Sequence, residues 1–161
     1  LISAIGQGFV LTNPFQLAMM TSIIASNGKM IEPTIIKGKR VSFKTNDKYS
    51  KEIKIIKKAM FKVVNEDKGT AFKSRLQDIK FAGKTGTSQV RRISLSERES
   101  DDFREKEQEW KNRDHALFVG YMPYDDPKYS ISVIIEHGGS GASTAAPIAK
   151  QIFNYINELE V

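Results

Sequence analysis

Two apolar stretches near the C-terminus constrain the fold of this chain most. Residues 116–122 and 129–136 are largely apolar, and the Pro-Tyr-Asp-Asp-Pro segment at 123–127 between them has the composition of a multi-residue turn. A strand with one face in water alternates apolar and polar residues, whereas a strand covered on both faces has no such need. The sequence therefore predicts an antiparallel hairpin in a sheet that helices cover on each side.

A third strand is predicted over residues 79–90, in one antiparallel sheet with the hairpin, and its glycines set it apart. Residues 83–87 read Gly-Lys-Thr-Gly-Thr. Glycine inside a strand usually indicates that another backbone or a ligand comes close, and the lysine and threonines offer a cation and hydroxyls that suit a small anion. Alternation places Thr85 and Thr87 on one face and Lys84 on the other. A ligand that touches all three must lie along the strand edge, as an added strand would.

A phosphate-binding loop is an alternative interpretation of this stretch, because Gly83-Lys84-Thr85 resembles the end of the pattern G-x-x-x-x-G-K-[ST]. The pattern fails, since its first glycine would have to stand at Asp78. Gly86 would also fall inside the helix that follows such a loop. An isolated Lys-Thr-Gly occurs in ordinary solvated edge strands as well, so the surrounding sequence has to decide.

Three helices are predicted around these strands. The first follows Asn13, a good N-cap residue with Gln16 three positions later. The second begins at Lys51, and the third is capped by Ser143 or Thr144. The apolar positions predicted to face the core are Leu17, Met20 and Ile24 in the first, Ile53, Ile56, Met60 and Val63 or Val64 in the second, and Ile148, Ile152, Ile156 and Leu159 in the third.

The amino-acid composition argues against several kinds of site and partner. The chain has 161 residues, of which 40% are hydrophobic, enough for one domain. It contains no cysteine, so disulfides and thiolate metal sites are excluded. The net charge is +6 and the pI is about 9.4, but the lysines are scattered and no aromatic stacking platform or nucleic-acid motif accompanies them. We therefore predict no nucleic-acid partner, and we expect a solvated basic face.

Residues 91–114 are the most charged stretch, predicted as a solvated helix near 97–109 or as a mobile loop. Trp110 is expected to anchor this stretch to the body of the protein. The two histidines form no i, i+4 pair, so we predict no metal site. His137 and Gly138, in a glycine-rich loop after a central strand, are candidates for the rim of a cleft.

Five stretches along nearly the whole chain carry a resemblance to one family, the penicillin-binding protein 2 group of class B penicillin-binding proteins. They are Ile5-Gly6-Gln7-Gly8 with residues 11–18, Val64-Asn65-Glu66 with Gly69-Thr70-Ala71, Lys84-Thr85-Gly86-Thr87, residues 114–121, and residues 136–141 before Ala146-Pro147. Lys-Thr-Gly is the third signature of penicillin-binding proteins and serine β-lactamases. The resemblance predicts an α+β fold in which three C-terminal strands of the transpeptidase sheet are flanked by helices on both faces, with residues 1–161 as the C-terminal part of an incomplete domain.

The resemblance implies a peptidoglycan D,D-transpeptidase of cell elongation, which forms a serine acyl-enzyme on a stem peptide ending in D-alanyl-D-alanine and which binds penicillin. By that resemblance Lys84 supplies positive potential at the reacting centre. The Thr85 and Thr87 hydroxyls, on either side of Gly86, bind the substrate carboxylate, and the Thr87 N–H is an oxyanion donor. The family further implies β-lactam antibiotics as ligands, a membrane glycosyltransferase as partner, an upstream anchor in the inner membrane, a periplasmic position and no cofactor.

The nucleophile is the main departure from the family. Ser26 and Lys29 have S-x-x-K spacing, but Ser26 closes a helix and Asn-Gly then turns the chain, so no helical turn holds the two side chains together. No S-x-N occurs. We expect both signatures to lie upstream and the chain to be inactive alone. A non-catalytic β-lactam sensor or a pseudoenzyme interaction domain is the alternative class. A hydrolytic β-lactamase is disfavoured, because the other stretches match the elongation enzyme.

Overall fold

The computed structural model describes residues 11–38, 43–45, 47–90 and 109–160. The Ile5–Gly8 stretch and residues 91–108 of the charged segment, with nearly all of the helix or loop expected near 97–109, lie outside the described residues. The helices and strands, in chain order, are α1 (Pro14–Ala25), β1 (Lys29–Ile31), β2 (Phe43–Thr45), α2 (Ser50–Asn65), β3 (Ala82–Ser88), β4 (His115–Met122), β5 (Tyr129–Ile135) and α3 (Ala146–Glu160).

The main sheet has three strands in the order β3-β4-β5, and both pairs are antiparallel. Lys84 is opposite Val119, and Ala116 is opposite Ile135. The hairpin predicted from the two apolar runs is thus confirmed, and so is its antiparallel partnership with the Lys84 strand. β1 and β2 form a separate two-stranded ribbon. Within the described ranges β3 pairs only with β4, so it is an edge strand.

Helices pack on both faces of the main sheet, as the apolar strands predicted. On one face, Phe81, Phe118 and Phe153 of α3 are fully buried, with ring centroids 5.1 Å apart between Phe81 and Phe153. On the other face, Ala25 of α1 and Met60 of α2 pack against Ala82 and Tyr121. Burial of each large apolar side chain stabilises the fold by about 1.5–3 kcal/mol. The two clusters therefore hold β3 and β4 between helices.

The first helix begins where the sequence predicts. The Asn13 Oδ1 accepts from the Gln16 N–H at 2.9 Å, and the Asn13 N–H donates to Gln16 Oε1 at 3.0 Å. This reciprocal capping box satisfies two of the N–H groups that have no partner inside the helix. After α1 the chain turns through Asn27 and Gly28, both with positive φ, 58° and 93°. The Asn-Gly pair thus ends α1 by supplying left-handed backbone.

The third helix differs from the prediction in its start and its buried face. A π-helical turn at Gly141–Ala145 leads into α3, and the Thr144 hydroxyl donates back to the Gly138 carbonyl at 2.8 Å instead of capping the helix. Ser143 lies inside the same turn and is not a cap either. Two of the four predicted stripe residues are exposed, Ile152 by 40% and Leu159 by 68%. The buried residues are Ala145, Ala146, Ala149 and Phe153, with Ile148 and Ile156 partly buried beside them.

The physical reason for this difference is the size of the side chains that face the sheet. Ala149 has no bulk beyond Cβ, so the helix approaches the sheet closely along its alanine face. Phe153, one turn further on, then reaches the Phe81 ring. An isoleucine stripe facing the sheet would hold the helix further away and would leave Phe81 without this contact. The apolar pattern alone does not distinguish these two orientations.

Candidate active site

The predicted binding strand lies at the outer edge of the main sheet. β3 runs from Ala82 to Ser88, three residues shorter at the start than the predicted strand, because its pairing begins where Ala82 meets Tyr121. Lys84 and Thr87 are exposed, and Thr85 and Gly86 are half-buried. The cation and hydroxyls that the sequence singles out thus lie at the surface of an edge strand.

The two faces of β3 carry different groups, as alternation predicts. Lys84 borders an apolar cavity of about 350 Å³ between α1 and α2, lined also by Met20, Met60 and Val119, and its Nζ donates to the Thr85 carbonyl at 2.6 Å. Thr85 projects from the opposite face, where its hydroxyl oxygen lies 2.8 Å from the hydroxyl oxygen of Thr70. A ligand can reach both side chains only from the strand edge.

Gly83, directly before the Lys-Thr-Gly signature, and Gly86, within it, have different surroundings. A Cβ on Gly83 would overlap the Phe118 ring and lie 2.7 Å from the Val119 carbonyl oxygen. A Cβ on Gly86 would meet only the Leu117 Cβ, at 3.2 Å. Gly83 is therefore required by the packing of the core, and the close Val119 backbone is one of the two causes expected for a glycine inside a strand. Of the two glycines, only Gly86 has space for a ligand where a side chain would otherwise project.

Thr70 belongs to one of the stretches that resemble the family, but the sequence alone assigned it no role. It lies in the Gly-Thr-Ala segment that follows α2, and this segment brings its hydroxyl to the face of β3 opposite Lys84. The signal for it was present in the sequence. Gly69 and Ala71, which follow the predicted second helix after a few residues, are small enough for the backbone around Thr70 to pack against the helix end.

The predicted rim residues, His137 and Gly138, lie beside the Ser88 end of β3, four residues along the strand from Lys84. His137 has a positive φ of 54°, its N–H donates to His115 Nδ1 at 2.9 Å, and His115 is paired with Ser88. Gly138 is packed on Ile135, where a Cβ would approach within 2.8 Å. The structure thus places His137 and Gly138 in a rigid turn next to the start of β4.

Trp110 contacts this turn, but it is not a buried anchor. Its ring centroid lies 4.4 Å from that of His137, while 62% of the residue stays exposed. The Gly139 N–H donates to the Asp114 carbonyl at 2.8 Å and joins the same two segments through their backbones. The end of the charged stretch is therefore attached to the body by a ring contact and a backbone hydrogen bond.

The position of Ser26 at the end of α1 argues against its acting as a nucleophile. It is the C-cap residue of α1, and its hydroxyl oxygen lies 3.3 and 3.1 Å from the carbonyl oxygens of Ile23 and Lys29, either of which can accept its one proton. Peptide dipoles at a helix C-terminus disfavour the negative charge that a serine develops on attack.

Across the described residues no group of three or more His, Cys, Asp or Glu side chains could hold a metal ion. Each described helix is too short or too polar to cross a bilayer.

Burial shifts the pKa values of two ionisable groups near β3, Tyr121 of β4 and Lys57 of α2. Burial, followed by the neighbouring Tyr124 and Asp125, raises the pKa of Tyr121 well above its usual range. Burial also lowers the pKa of Lys57, whose Nζ donates to the Ala25 carbonyl at 2.8 Å and to Asn27 Oδ1 at 3.0 Å. Both groups are structural, since Lys57 joins α2 to the end of α1 and Tyr121 belongs to the core.

Comparison with known proteins identifies relatives that match nearly the whole length of this chain. Residues 1–154 match the family described as the penicillin binding protein transpeptidase domain. The chain is 34% identical to the peptidoglycan D,D-transpeptidase MrdA of Haemophilus influenzae over 94% of its own length and 24% of that protein. It is 34% identical to MrdA of Acinetobacter baumannii, over 94% and 23% of the two lengths. The chain thus spans about a quarter of these relatives.

Solved structures show the same fold. A penicillin-binding protein (PBP2) from Helicobacter pylori superposes with a TM-score of 0.79 at 31% identity, over 98% of this chain and 26% of the other. A complex between PBP2 and MreC from the same organism gives 0.78 at 32%, over 98% and 27%. The three-stranded antiparallel sheet with helices on both faces agrees with these neighbours. With the family match over residues 1–154, the chain belongs to the penicillin-binding protein transpeptidase family, among relatives named MrdA or PBP2.

Proposed function

We propose that this chain is the substrate-binding part of a peptidoglycan D,D-transpeptidase that cross-links stem peptides through a serine acyl-enzyme in cell elongation. Residues 1–161 are, in this proposal, the C-terminal part of the transpeptidase domain. The observation that carries it is the position of Lys84-Thr85-Gly86-Thr87 on an edge strand that, among the described residues, pairs with β4 alone. An extended peptide can add to the outer edge of such a strand.

The proposed roles follow from the two faces of β3. Lys84 supplies positive potential on the face toward α1 and α2, and in this proposal the reacting serine lies beside it. Thr85 and Thr87 donate hydroxyl hydrogen bonds to the terminal carboxylate of the peptide, and the Thr87 N–H helps to stabilise the oxyanion. Gly86, with room at its surface, lets the peptide backbone come close. A β-lactam occupies the same edge in place of the D-alanyl-D-alanine end.

The nucleophile of this proposal lies outside the 161 residues. The chain contains no S-x-N, and its one S-x-x-K serine is a helix C-cap residue. The complete protein therefore carries out the reaction, and the chain alone supplies only the binding strand and its supports. We place the complete protein in the inner membrane with this domain on the periplasmic side. Its proposed partners are the stem peptide, β-lactam antibiotics and a membrane glycosyltransferase of the elongation machinery.

The experiment that tests this function is acylation of the complete protein by a fluorescent penicillin. Lys84→Ala is expected to slow labelling by about 100-fold or more, the size of effect found when one electrostatic donor is removed from an active site. Lys80→Ala is the matched control, because Lys80 is exposed and precedes the same strand. Labelling of Lys84→Ala at the rate of the unaltered protein would refute the assignment of the site.

A further inference from the structure

The hydrogen bond between Thr70 and Thr85 links the candidate substrate strand to a segment outside the sheet. The two hydroxyl oxygens are 2.8 Å apart, and either can be the donor. Thr85 is half-buried and Thr70 is exposed. The bond thus lies at the surface, on the residue that is proposed to bind the substrate carboxylate.

The backbone on both sides of Thr70 is held rigidly. The Gly69 N–H donates to the Glu66 carbonyl at 2.8 Å, and a Cβ on Gly69 would overlap the carbonyls of Val63 and Lys62 at the end of α2. The Ala71 N–H donates to the Val63 carbonyl at 3.0 Å, and Ala71 is 1% exposed. The end of α2 therefore fixes the position from which the Thr70 side chain reaches Thr85.

The direction of the bond follows from the chemistry of the ligand. An ionised carboxylate only accepts hydrogen bonds, and a threonine hydroxyl has a single proton to donate. If Thr85 donated its proton to Thr70, it would present only lone pairs to the carboxylate, and the contact would be repulsive. If Thr70 donates to Thr85, the Thr85 proton is left for the ligand, and the accepted bond polarises that O–H and strengthens its next bond.

We propose that Thr70 is a positioning residue for the carboxylate of the substrate. It donates its hydroxyl proton to Thr85 Oγ1 and so holds the Thr85 hydroxyl as a donor toward the strand edge. This inference rests on the proposed function, and it adds that selectivity for a free carboxylate depends on a residue that does not itself touch the ligand.

The test compares two acylating probes on the complete protein, benzylpenicillin and its methyl ester, which lacks the free carboxylate. Thr70→Val keeps the β-branched shape and removes the donor, and Thr70→Ser keeps the donor. Thr70→Val is expected to slow acylation by benzylpenicillin about three- to tenfold, the worth of one hydrogen bond, with the rate for the ester unchanged. Thr70→Ser is expected to keep both rates. Intact-protein mass spectrometry measures each rate.

Thr34→Val is the matched control, because Thr34 accepts a bond from the Ile36 N–H at 3.1 Å, away from the main sheet. A purely structural role for Thr70 would slow both probes equally, and that result, or no change in either rate, would overturn the proposal. The ratio of the two rates is measured on one sample, so partial loss of folded protein does not alter it. If the unaltered protein is not acylated by benzylpenicillin, the proposed function fails as well. Acylation with an unchanged ratio in Thr70→Val refutes only the role of Thr70.

Discussion

The two glycines on either side of Lys84 and Thr85 are alike in the sequence, but the structure predicts a loss of stability when Gly83 becomes alanine and almost none when Gly86 does. A Cβ on Gly83 would overlap the Phe118 ring and lie 2.7 Å from the Val119 carbonyl oxygen. Phe118 is 0% exposed and belongs to the buried core cluster, so a shift of its ring has to displace other core side chains. The Val119 oxygen belongs to the β3–β4 ladder and can move only if the strand pairing is disturbed. Gly83→Ala therefore overpacks the core.

The expected magnitude for Gly83→Ala is a loss of about 1–3 kcal/mol from overpacking, reduced by about 0.5–1 kcal/mol because alanine loses less backbone entropy than glycine. Because the new Cβ would meet both a ring and a backbone oxygen, we expect the upper part of the overpacking range, about 2–3 kcal/mol. The net loss is then about 1–2.5 kcal/mol, and at about 2–4 °C per kcal/mol the midpoint of thermal unfolding should fall by about 2–10 °C. Gly86→Ala has only one contact to relieve, at 3.2 Å from the Leu117 Cβ. The entropic gain offsets this contact, and the midpoint should stay within about 2 °C of the parent.

The assay is a thermal scan of the complete protein and both variants, with circular dichroism and dye binding as two separate probes of unfolding. Gly86→Ala is the matched control, since it makes the same chemical change three residues further along the same strand. Equal midpoints for the two variants would refute the packing argument. A larger loss for Gly86→Ala than for Gly83→Ala would refute it as well.

Two further predictions concern the third helix and the isolated chain. Phe153→Ala should destabilise the domain by about 3–5 kcal/mol, because the ring is fully buried against Phe81. Ile152→Ala, one residue earlier and 40% exposed, should cost less than about 1 kcal/mol, and chemical denaturation compares the two. The 161-residue chain alone should take no covalent penicillin label in a gel assay, and attachment at Ser26 would show that a nucleophile is present after all.

Some elements were predictable because their causes are local. The capping box of α1 depends on Asn13 and Gln16, which lie three residues apart, and the turn at Asn27-Gly28 depends on residues that adopt positive φ easily. The strand alternation that separates Lys84 from the two threonines follows from the geometry of any extended chain. The continuous apolar runs of β4 and β5 likewise indicated helices on both faces of the sheet.

Other features depend on contacts between distant residues, which the order of amino acids does not state. The requirement for glycine at position 83 comes from the Phe118 ring, and the orientation of α3 comes from the fit of Phe153 against Phe81. The meeting of Thr70 with Thr85 joins residues fifteen positions apart through the end of α2. The sequence by itself determined that three long helices and the three strands of the main sheet form, and which polar groups β3 carries. Only the tertiary structure decided which neighbours those groups have, because packing is set by shape across the whole fold.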